Sequence, residues 1–245
     1  MLQPEKDQHI LINKEIIKKE IEEADIKKED KIIEIGAGTG NLTKELAKKS
    51  CVLAFEIDEK FSKFLDKLKK KYENLEIIYG NALEYDWHKY NKIVANIPYS
   101  ASEAILQKAI NSGIKEIIMI VSSSFKEKLL SQEKIGLIAG IFYNIKPICK
   151  IGKENFFPVP RTESWLVKLE RKDDNKNKII KNILLKKGKI KNAILYSLVE
   201  NGKTKNQAKE IIKKMNLDSQ VLEKPTGKIT SKFLIRLKNE FFNNI

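Results

Sequence analysis

Short runs of apolar and β-branched residues alternate with longer amphipathic segments over about the first 170 residues. This alternation predicts an α/β fold, with a parallel sheet covered by helices. The apolar runs predict seven strands, at Lys31–Ile35, Val52–Glu56, Leu75–Tyr79, Lys92–Ala95, Ile117–Val121, Ile145–Ile151 and Trp165–Glu170. Apolar residues at helical spacing predict helices between the early strands, at Lys14–Ala24, Leu42–Lys48, Lys60–Tyr72 and Ser102–Ser112.

The last two predicted strands have no helix between them, which predicts an antiparallel hairpin at the edge of a mostly parallel sheet. The polar segment Arg171–Lys178 follows, and we take it as a domain boundary. We expect a first domain over residues 1–171 and a small all-α domain over 179–245, which at about 70 residues needs support from the first. Helices are predicted in this second domain at Ile179–Leu185, Ile190–Glu200, Lys205–Met215 and Ser231–Phe242.

The chain is strongly basic, with 47 Lys and Arg against 33 Asp and Glu and a net charge of +14. This charge favours a polyanionic partner such as nucleic acid, although solvated lysine-rich faces from a general lysine bias are an alternative. Only Arg161, Arg171 and Arg236 are arginines, so the charge indicates phosphate binding more than base reading. Mutual repulsion favours a monomer.

Two cysteines, Cys51 and Cys149, lie in separate apolar runs without the spacing of a zinc or redox site. We expect both to be reduced and structural, and we expect no metal site. The beginning of the sequence lacks the apolar stretch of a signal peptide, and no later run approaches the roughly 20 apolar residues that span a bilayer. These features predict a soluble, cytoplasmic protein that does not bind membranes.

A glycine-rich turn, Gly36–Gly40, connects the first sheet strand to a helix. Gly36 and Gly38 let the backbone approach a ligand closely, and the helix N-terminus behind them favours polar groups. The spacing is GxGxG, which favours S-adenosylmethionine over a dinucleotide with its GxGxxG signature. Glu56 ends the next strand, where a carboxylate can accept both ribose hydroxyls. A dehydrogenase or another nucleotide-binding protein remains the alternative interpretation.

The segment Asn96–Tyr99 ends the fourth predicted strand, where doubly wound sheets place their active sites. An exocyclic adenine amine is a poor nucleophile because its lone pair is delocalised into the ring. The Asn96 side-chain oxygen and the Ile97 carbonyl oxygen would each accept one of its N–H groups, while Pro98 stiffens the turn and Tyr99 stacks on the base. The target base has to be flipped out or already unpaired. An ordinary strand-ending turn is the alternative.

Four segments together resemble the rRNA adenine N6,N6-dimethyltransferase family, in its small-subunit branch and especially its archaeal form. They are Asp7–Asn13, Glu34–Gly40, Asn96–Tyr99 and Phe156–Ser164, which resemble the family's opening, cofactor, catalytic and Phe-x-Pro-x-Pro motifs. The resemblance implies a Rossmann-like class I methyltransferase fold with a seven-stranded sheet. It implies S-adenosylmethionine contacts at Gln8, His9, Leu11, Gly36, Gly38, Glu56, Ile57, Asn81, Ala82 and Asn96.

The same resemblance places Phe156 on the face of the adenine opposite Tyr99. It implies dimethylation of two adjacent adenines in a hairpin loop near the 3′ end of small-subunit rRNA, within a pre-ribosomal particle during ribosome biogenesis. The lysine-rich tail resembles the family's C-terminal RNA-binding domain, which agrees with phosphate binding through charge.

Three departures from the family pattern bear on activity. Asn81 stands where the family usually has Asp, and Ile10 replaces the usual Phe. Ser122–Phe125 replaces a Gln-Lys-Glu-like stretch and is followed by a shortened loop to Gly136. The alternatives are a non-catalytic ribosome-assembly or nucleic-acid-binding factor on the same scaffold, a large-subunit rRNA or DNA adenine methyltransferase, and a purely structural RNA-binding protein. The retained Asn96 and the glycine turn favour an enzyme.

Overall fold

The structure is a computed structural model that describes residues 9–172 and 177–244. The chain divides into two compact units. The first comprises the described residues of Met1–Leu130 and Tyr143–Arg171, and the second those of Ser131–Phe142 and Lys172–Ile245. Among the described residues, no helix is both long enough and apolar enough to cross a membrane.

A seven-stranded sheet forms the centre of the first unit, in the order β4-β3-β2-β5-β6-β9-β7. All neighbouring pairs are parallel except those made by β9, which runs antiparallel to both β6 and β7. The prediction of a mostly parallel seven-stranded sheet with an antiparallel hairpin at its edge is therefore confirmed. The strands are β2 (Lys31–Ile35), β3 (Cys51–Glu56), β4 (Leu75–Tyr79), β5 (Lys92–Asn96), β6 (Glu116–Ser122), β7 (Tyr143–Ile151) and β9 (Ser164–Arg171).

Helices cover both faces of this sheet, because its central strands have apolar residues on both faces. Successive residues of a strand point to opposite faces, yet Ile32 and Ile33 of β2 are both fully buried, and so are Ile117 and Ile118 of β6. The four predicted helices of this unit are present. The helices of this unit are α1 (Lys14–Glu23), α2 (Asn41–Ala47), α3 (Ser62–Lys71), α4 (Ser102–Ser112) and α5 (Ser123–Leu130).

A second, two-stranded sheet joins the beginning of the described chain to the segment before β9. In it, β1 (Ile10–Leu11) pairs antiparallel with β8 (Phe156–Phe157), and Leu11 is the partner of Phe156. The sequence did not predict this pair because two residues are too few to show a strand period.

The second unit is helical, and its buried side chains come from helices that are distant in the chain. Ile183, Ile190, Leu198, Leu234 and Leu237 are all completely buried. The predicted tail helices are present, and a further short helix follows the third of them. The helices are α6 (Lys134–Phe142), α7 (Lys178–Leu185), α8 (Ile190–Glu200), α9 (Lys205–Lys214), α10 (Ser219–Leu222) and α11 (Ser231–Asn244).

The segment after β6 differs from the expectation of a loop. It forms α5 in the first unit and α6 in the second, so Ser131–Phe142 groups with the tail although it precedes β7. Six of the nine residues of α6 are buried, which removes the polar stripe that would reveal a helix. Gly136 and Gly140 within α6 lower its helix propensity further. The predicted domains, residues 1–171 and 179–245, placed Ser131–Phe142 in the first domain, whereas it groups with the second unit.

A buried ion-pair network lies at the amino ends of β5 and β6. The Lys92 ammonium group lies 3.0 Å from a carboxylate oxygen of Asp30 and 3.0 Å from one of Glu116, and it donates to the Ala24 carbonyl. The Lys92 side chain is only 5% exposed. Removing one charge from such a network leaves the others buried without compensation.

We therefore expect Lys92→Met to lower the free energy of unfolding by about 3 to 5 kcal/mol. Lys48→Met is the matched control, because Lys48 pairs with Glu45 on the surface and its loss is expected to cost less than about 0.5 kcal/mol. Urea unfolding of both variants measures the difference, and equal effects would contradict the network's role.

Candidate functional site

The carboxyl ends of three neighbouring strands bring the main candidate residues together. In the order β3-β2-β5, these strands end at Glu56, just before Gly36, and at Asn96. Because the strands are parallel, the segments that follow them leave the same edge of the sheet. The chain thus forms one site from residues that are 60 positions apart in sequence.

The glycine turn packs directly against the catalytic segment predicted from the sequence. Gly36 has a φ of +80°, and a Cβ atom placed on it would lie 3.3 Å from the backbone oxygen of Asn96. Gly38 has a φ of +52°, and its N–H donates to a carboxylate oxygen of Glu56 over 2.7 Å. Side chains are disfavoured at both positive φ values, so the backbone itself lines the site.

Backbone N–H groups orient the Glu56 carboxylate. One oxygen accepts from Gly38 as described, and the other accepts from the N–H of Asp58 over 2.9 Å. Burial raises the pKa of Glu56, while these backbone hydrogen bonds oppose the rise. A carboxylate has about four acceptor positions, so Glu56 retains capacity for hydroxyl donors.

Asn81 lies beyond the end of β4 and begins a short 3-10 helix. Its side-chain oxygen accepts from the N–H of Leu83 over 3.1 Å, and its amide nitrogen donates to Glu84 over 3.3 Å. These local contacts orient the amide. Ala82 beside it is buried, whereas Ile57 after Glu56 is 71% exposed.

Tyr99 is held from two sides. Its hydroxyl lies 2.6 Å from the Ser164 hydroxyl, which is completely buried at the start of β9. Its ring is stacked near the His9 ring, with the centroids 6.3 Å apart and the planes 26° from parallel. The Nδ1 atom of His9 bonds in turn to the carbonyl of Pro158 over 2.8 Å. These contacts restrain the orientation of the Tyr99 ring.

The candidate residues line one continuous region. A cavity of about 260 Å³ is lined by most of them, and a smaller one of about 50 Å³ adjoins it through His9, Gly36, Gly38 and Asn96. Leu11 lines only the smaller cavity, and Gln8 lies outside the described residues. The predicted residues that line the larger cavity are His9, Gly36, Gly38, Glu56, Ile57, Asn81, Ala82, Asn96, Ile97, Pro98, Tyr99 and Phe156. Their individual roles stay predictions.

Two buried carboxyl groups close to Asn96 were given no individual role from the sequence, although Glu34 begins the segment that resembles the cofactor motif. Glu34 lines the smaller cavity and is only 1% exposed, and its Oε2 atom has no hydrogen-bond partner among the described residues. Burial raises the pKa of Glu34 to about 8. Glu20 of α1 is completely buried. Its position on the apolar face of a predicted helix was the signal available in the sequence.

The charge of the lining residues distinguishes between the two classes of cofactor considered above. The two cavities are lined by Glu34 and Glu56, and none of the described lining residues is Lys or Arg. The Glu56 carboxylate would repel a pyrophosphate group, and Glu34, neutral near pH 7, offers that group no compensating cation. The site therefore favours a ligand that carries positive charge and hydroxyl groups, and the dinucleotide alternative is disfavoured.

Comparison with known proteins decides the family. The family model described as ribosomal RNA adenine dimethylase matches residues 2–234. The chain belongs to this family. A relative from Methanococcus maripaludis, named probable ribosomal RNA small subunit methyltransferase A, is 32% identical over 91% of this chain and 93% of its own length. A Pyrococcus furiosus relative of the same name is also 32% identical, and that match spans 61% of its length.

Solved structures show the same fold. A dimethyladenosine transferase from Plasmodium falciparum matches with a TM-score of 0.66 at 23% identity, over 96% of this chain and 98% of that one. The 23S rRNA methyltransferase ErmE matches with a TM-score of 0.64 at 18% identity, over 95% and 99%. The predicted Rossmann-like methyltransferase fold is confirmed. As a member of the dimethylase family, the protein is an adenine methyltransferase that uses S-adenosylmethionine.

The residues of the site fit this cofactor. S-adenosylmethionine carries an ammonium group, a sulfonium group, one carboxylate and ribose hydroxyls, so its net charge is positive, and it carries no phosphate. The unpartnered oxygen of Glu34 and the remaining acceptor capacity of Glu56 suit those groups, and Gly36 leaves the space that a side chain would fill.

The raised pKa of Glu34 leads to a prediction about stability in the absence of cofactor. The folded state favours the neutral form of Glu34. The resulting contribution to the free energy of unfolding is therefore full below the ordinary pKa of 4.5 and is lost as the pH rises towards 8. We expect the free energy of unfolding of the wild type to fall between pH 5 and pH 8 by on the order of 3 kcal/mol more than that of Glu34→Gln. Urea titrations at several pH values measure this difference. Glu45→Gln, on the surface, should follow the wild type, and parallel curves for all three proteins would exclude the effect.

Proposed function

We propose that this protein dimethylates the N6 amines of two adjacent adenines in a hairpin loop near the 3′ end of small-subunit rRNA, within a pre-ribosomal particle. The observation that carries the proposal is the position of Asn96–Tyr99 at the end of β5, in one cavity with the glycine turn and Phe156. Relatives named small subunit methyltransferase support the choice of rRNA.

For the cofactor, we assign the groups of the site by their chemistry. Glu56 would accept hydrogen bonds from the ribose hydroxyls, and the Asn81 amide oxygen from the adenine amine of the cofactor, without charge assistance. The turn at Gly36 and Gly38, together with His9 and Leu11, would surround the amino-acid portion. When bound, S-adenosylmethionine supplies an electrophilic methyl group on a positively charged sulfur.

The target adenine requires acceptors for its amine. The Asn96 side-chain oxygen and the Ile97 carbonyl oxygen would each accept one N–H of the amine, which favours a tetrahedral nitrogen with its lone pair available. Pro98 restrains the backbone between Ile97 and Tyr99. These groups are aligned before the reaction, so they stabilise the reacting geometry without reorganisation.

Two aromatic side chains suit the target base. Tyr99 and Phe156 line the same cavity, and Tyr99 is fixed by Ser164 and His9. Aromatic stacking on a flipped or unpaired base contributes roughly 1 to 3 kcal/mol per base. An unpaired hairpin loop spares most of the cost of removing the base from a duplex.

For RNA binding, the helical second unit offers an exposed basic surface. On α9, Ala208 and Ile212 are buried, while Lys205, Lys209 and Lys214 are exposed. Lysine ammonium groups bind phosphate as point charges and give affinity that falls with salt. We therefore assign RNA binding to residues 179–245.

Methyl transfer to isolated small-subunit particles that lack these methyl groups tests the proposal. We expect transfer of labelled methyl groups to two adjacent adenines. For Asn96→Ala we expect the rate of methyl transfer to fall on the order of 10²- to 10³-fold, because one aligned hydrogen-bonding group is removed. Mapping the modified adenines distinguishes the other candidates. Transfer only to large-subunit rRNA or only to DNA would show that small-subunit rRNA is not the substrate. Cofactor binding without any transfer would indicate a non-catalytic assembly factor.

A second prediction concerns Tyr99. We expect Tyr99→Ala to lower turnover at least about tenfold, as expected for the loss of base stacking, while the Kd for the cofactor changes less than about threefold. Phe64→Ala is the control, because Phe64 is an exposed aromatic residue of α3 that does not line the cavity. Calorimetry and single-turnover kinetics provide the two quantities. Equal losses in both would reassign Tyr99 to the cofactor site.

A further inference from the structure

Glu20 is an acidic residue in an apolar position. It lies on the face of α1 that also carries Ile17 and Ile21, and its side chain is completely buried. Burial raises the pKa of Glu20, as does the nearby carboxylate of Glu34, while a hydrogen bond from Asn96 opposes the rise. A buried carboxyl group is costly unless it has a specific partner.

The partner is the side-chain amide of Asn96. With its nitrogen towards α1, this amide donates to both carboxylate oxygens of Glu20, over 3.2 and 3.3 Å. With the oxygen towards α1, it would instead face the two acceptor oxygens of the ionised Glu20, which is the form that a hydrogen bond from the Asn96 NH₂ group favours. Amide nitrogen and oxygen are assigned from their surroundings, and these surroundings select the first orientation.

This orientation determines what Asn96 presents to the cavity. If its nitrogen points towards Glu20, its oxygen points away from α1, on the side where Asn96 lines the cavity with Pro98 and Tyr99. An oxygen accepts from an adenine amine, whereas an NH₂ group would oppose the hydrogens of that amine. The function of Asn96 proposed above therefore depends on which way its amide is turned.

We propose that Glu20 is a positioning residue for methyl transfer, which holds the Asn96 amide with its oxygen directed at the target amine. The inference rests on the proposed adenine methylation. Glu20 acts through Asn96 and belongs to α1, outside the segments that resemble the family motifs.

If Glu20 had a purely structural role, its replacement would lower the stability of the protein; a positioning role predicts no such loss. Replacing a buried charged or polar group by an apolar residue of similar volume is often neutral or stabilising. Glu20→Met keeps the length of the side chain and removes both acceptors. We expect this variant to unfold at the same or a higher temperature than the wild type while it methylates more slowly.

Steady-state and single-turnover kinetics separate these effects. For Glu20→Met we expect kcat to fall about 10- to 100-fold, as for the loss of one aligned group, with the Kd for S-adenosylmethionine and the KM for the RNA substrate within about threefold. Glu20→Gln retains an acceptor oxygen and should recover kcat to within about threefold. Glu22→Met, an exposed position on the same helix, should match the wild type.

A double-mutant cycle tests whether Glu20 acts through Asn96. In the Asn96→Ala background, Glu20→Met should lower kcat by less than about twofold, because the group that it orients is already absent. An equal fold-loss in both backgrounds would overturn the proposal. A change in cofactor Kd as large as the change in kcat would also overturn it.

A direct spectroscopic readout is independent of the reaction. In protein labelled with ¹⁵N-asparagine, the Asn96 NH₂ signals are identified by their absence in Asn96→Ala. We expect Glu20→Met, and not Glu22→Met, to shift them away from the position of a carboxylate-bonded amide. Unchanged signals would show that the NH₂ group faces the cavity and would refute the inference. Because this measurement needs no RNA, it still tests Glu20 if wild-type protein fails to methylate rRNA.

Discussion

The close approach between Gly36 and the backbone of Asn96 is the constraint on which the site depends. A Cβ atom at Gly36 would lie 3.3 Å from the Asn96 carbonyl oxygen, and the φ of +80° is itself unfavourable for other residues. The glycine turn and the segment Asn96–Tyr99 therefore share one wall of the cavity. Neighbouring parallel strands β2 and β5 place them there, and Glu56 from β3 completes the row.

Residues outside the strand ends orient the groups that face the cavity. Ser164 of β9 bonds to the Tyr99 hydroxyl, and pairing with Leu11 in β1 holds Phe156. Glu20 of α1 faces the Asn96 amide. These supports come from β9, β1 and α1, so the groups that face the cavity are aligned by residues distant from them in the sequence.

Charge is divided between the interior of the site and the chain as a whole. The net charge of the chain is +14, yet the cavities are lined by Glu34 and Glu56, with no Lys or Arg among their described lining residues. The Glu56 carboxylate suits a cationic methyl donor, and the exposed lysines of helices such as α9 suit a polyanion. This separation is consistent with a protein that binds a small cation and a large nucleic acid at once.

The sequence by itself determined the strands, the glycine turn and Asn96–Tyr99, because each depends on local properties: β-branched runs, backbone freedom at Gly36, and chemistry at a strand end. It did not determine α6, whose apolar surface shows no polar stripe, or the grouping of Ser131–Phe142 with the tail. The partner of Glu20 was also beyond it. A hydrophobic pattern shows that a face is buried, but only the tertiary structure decides which distant residue is buried against it.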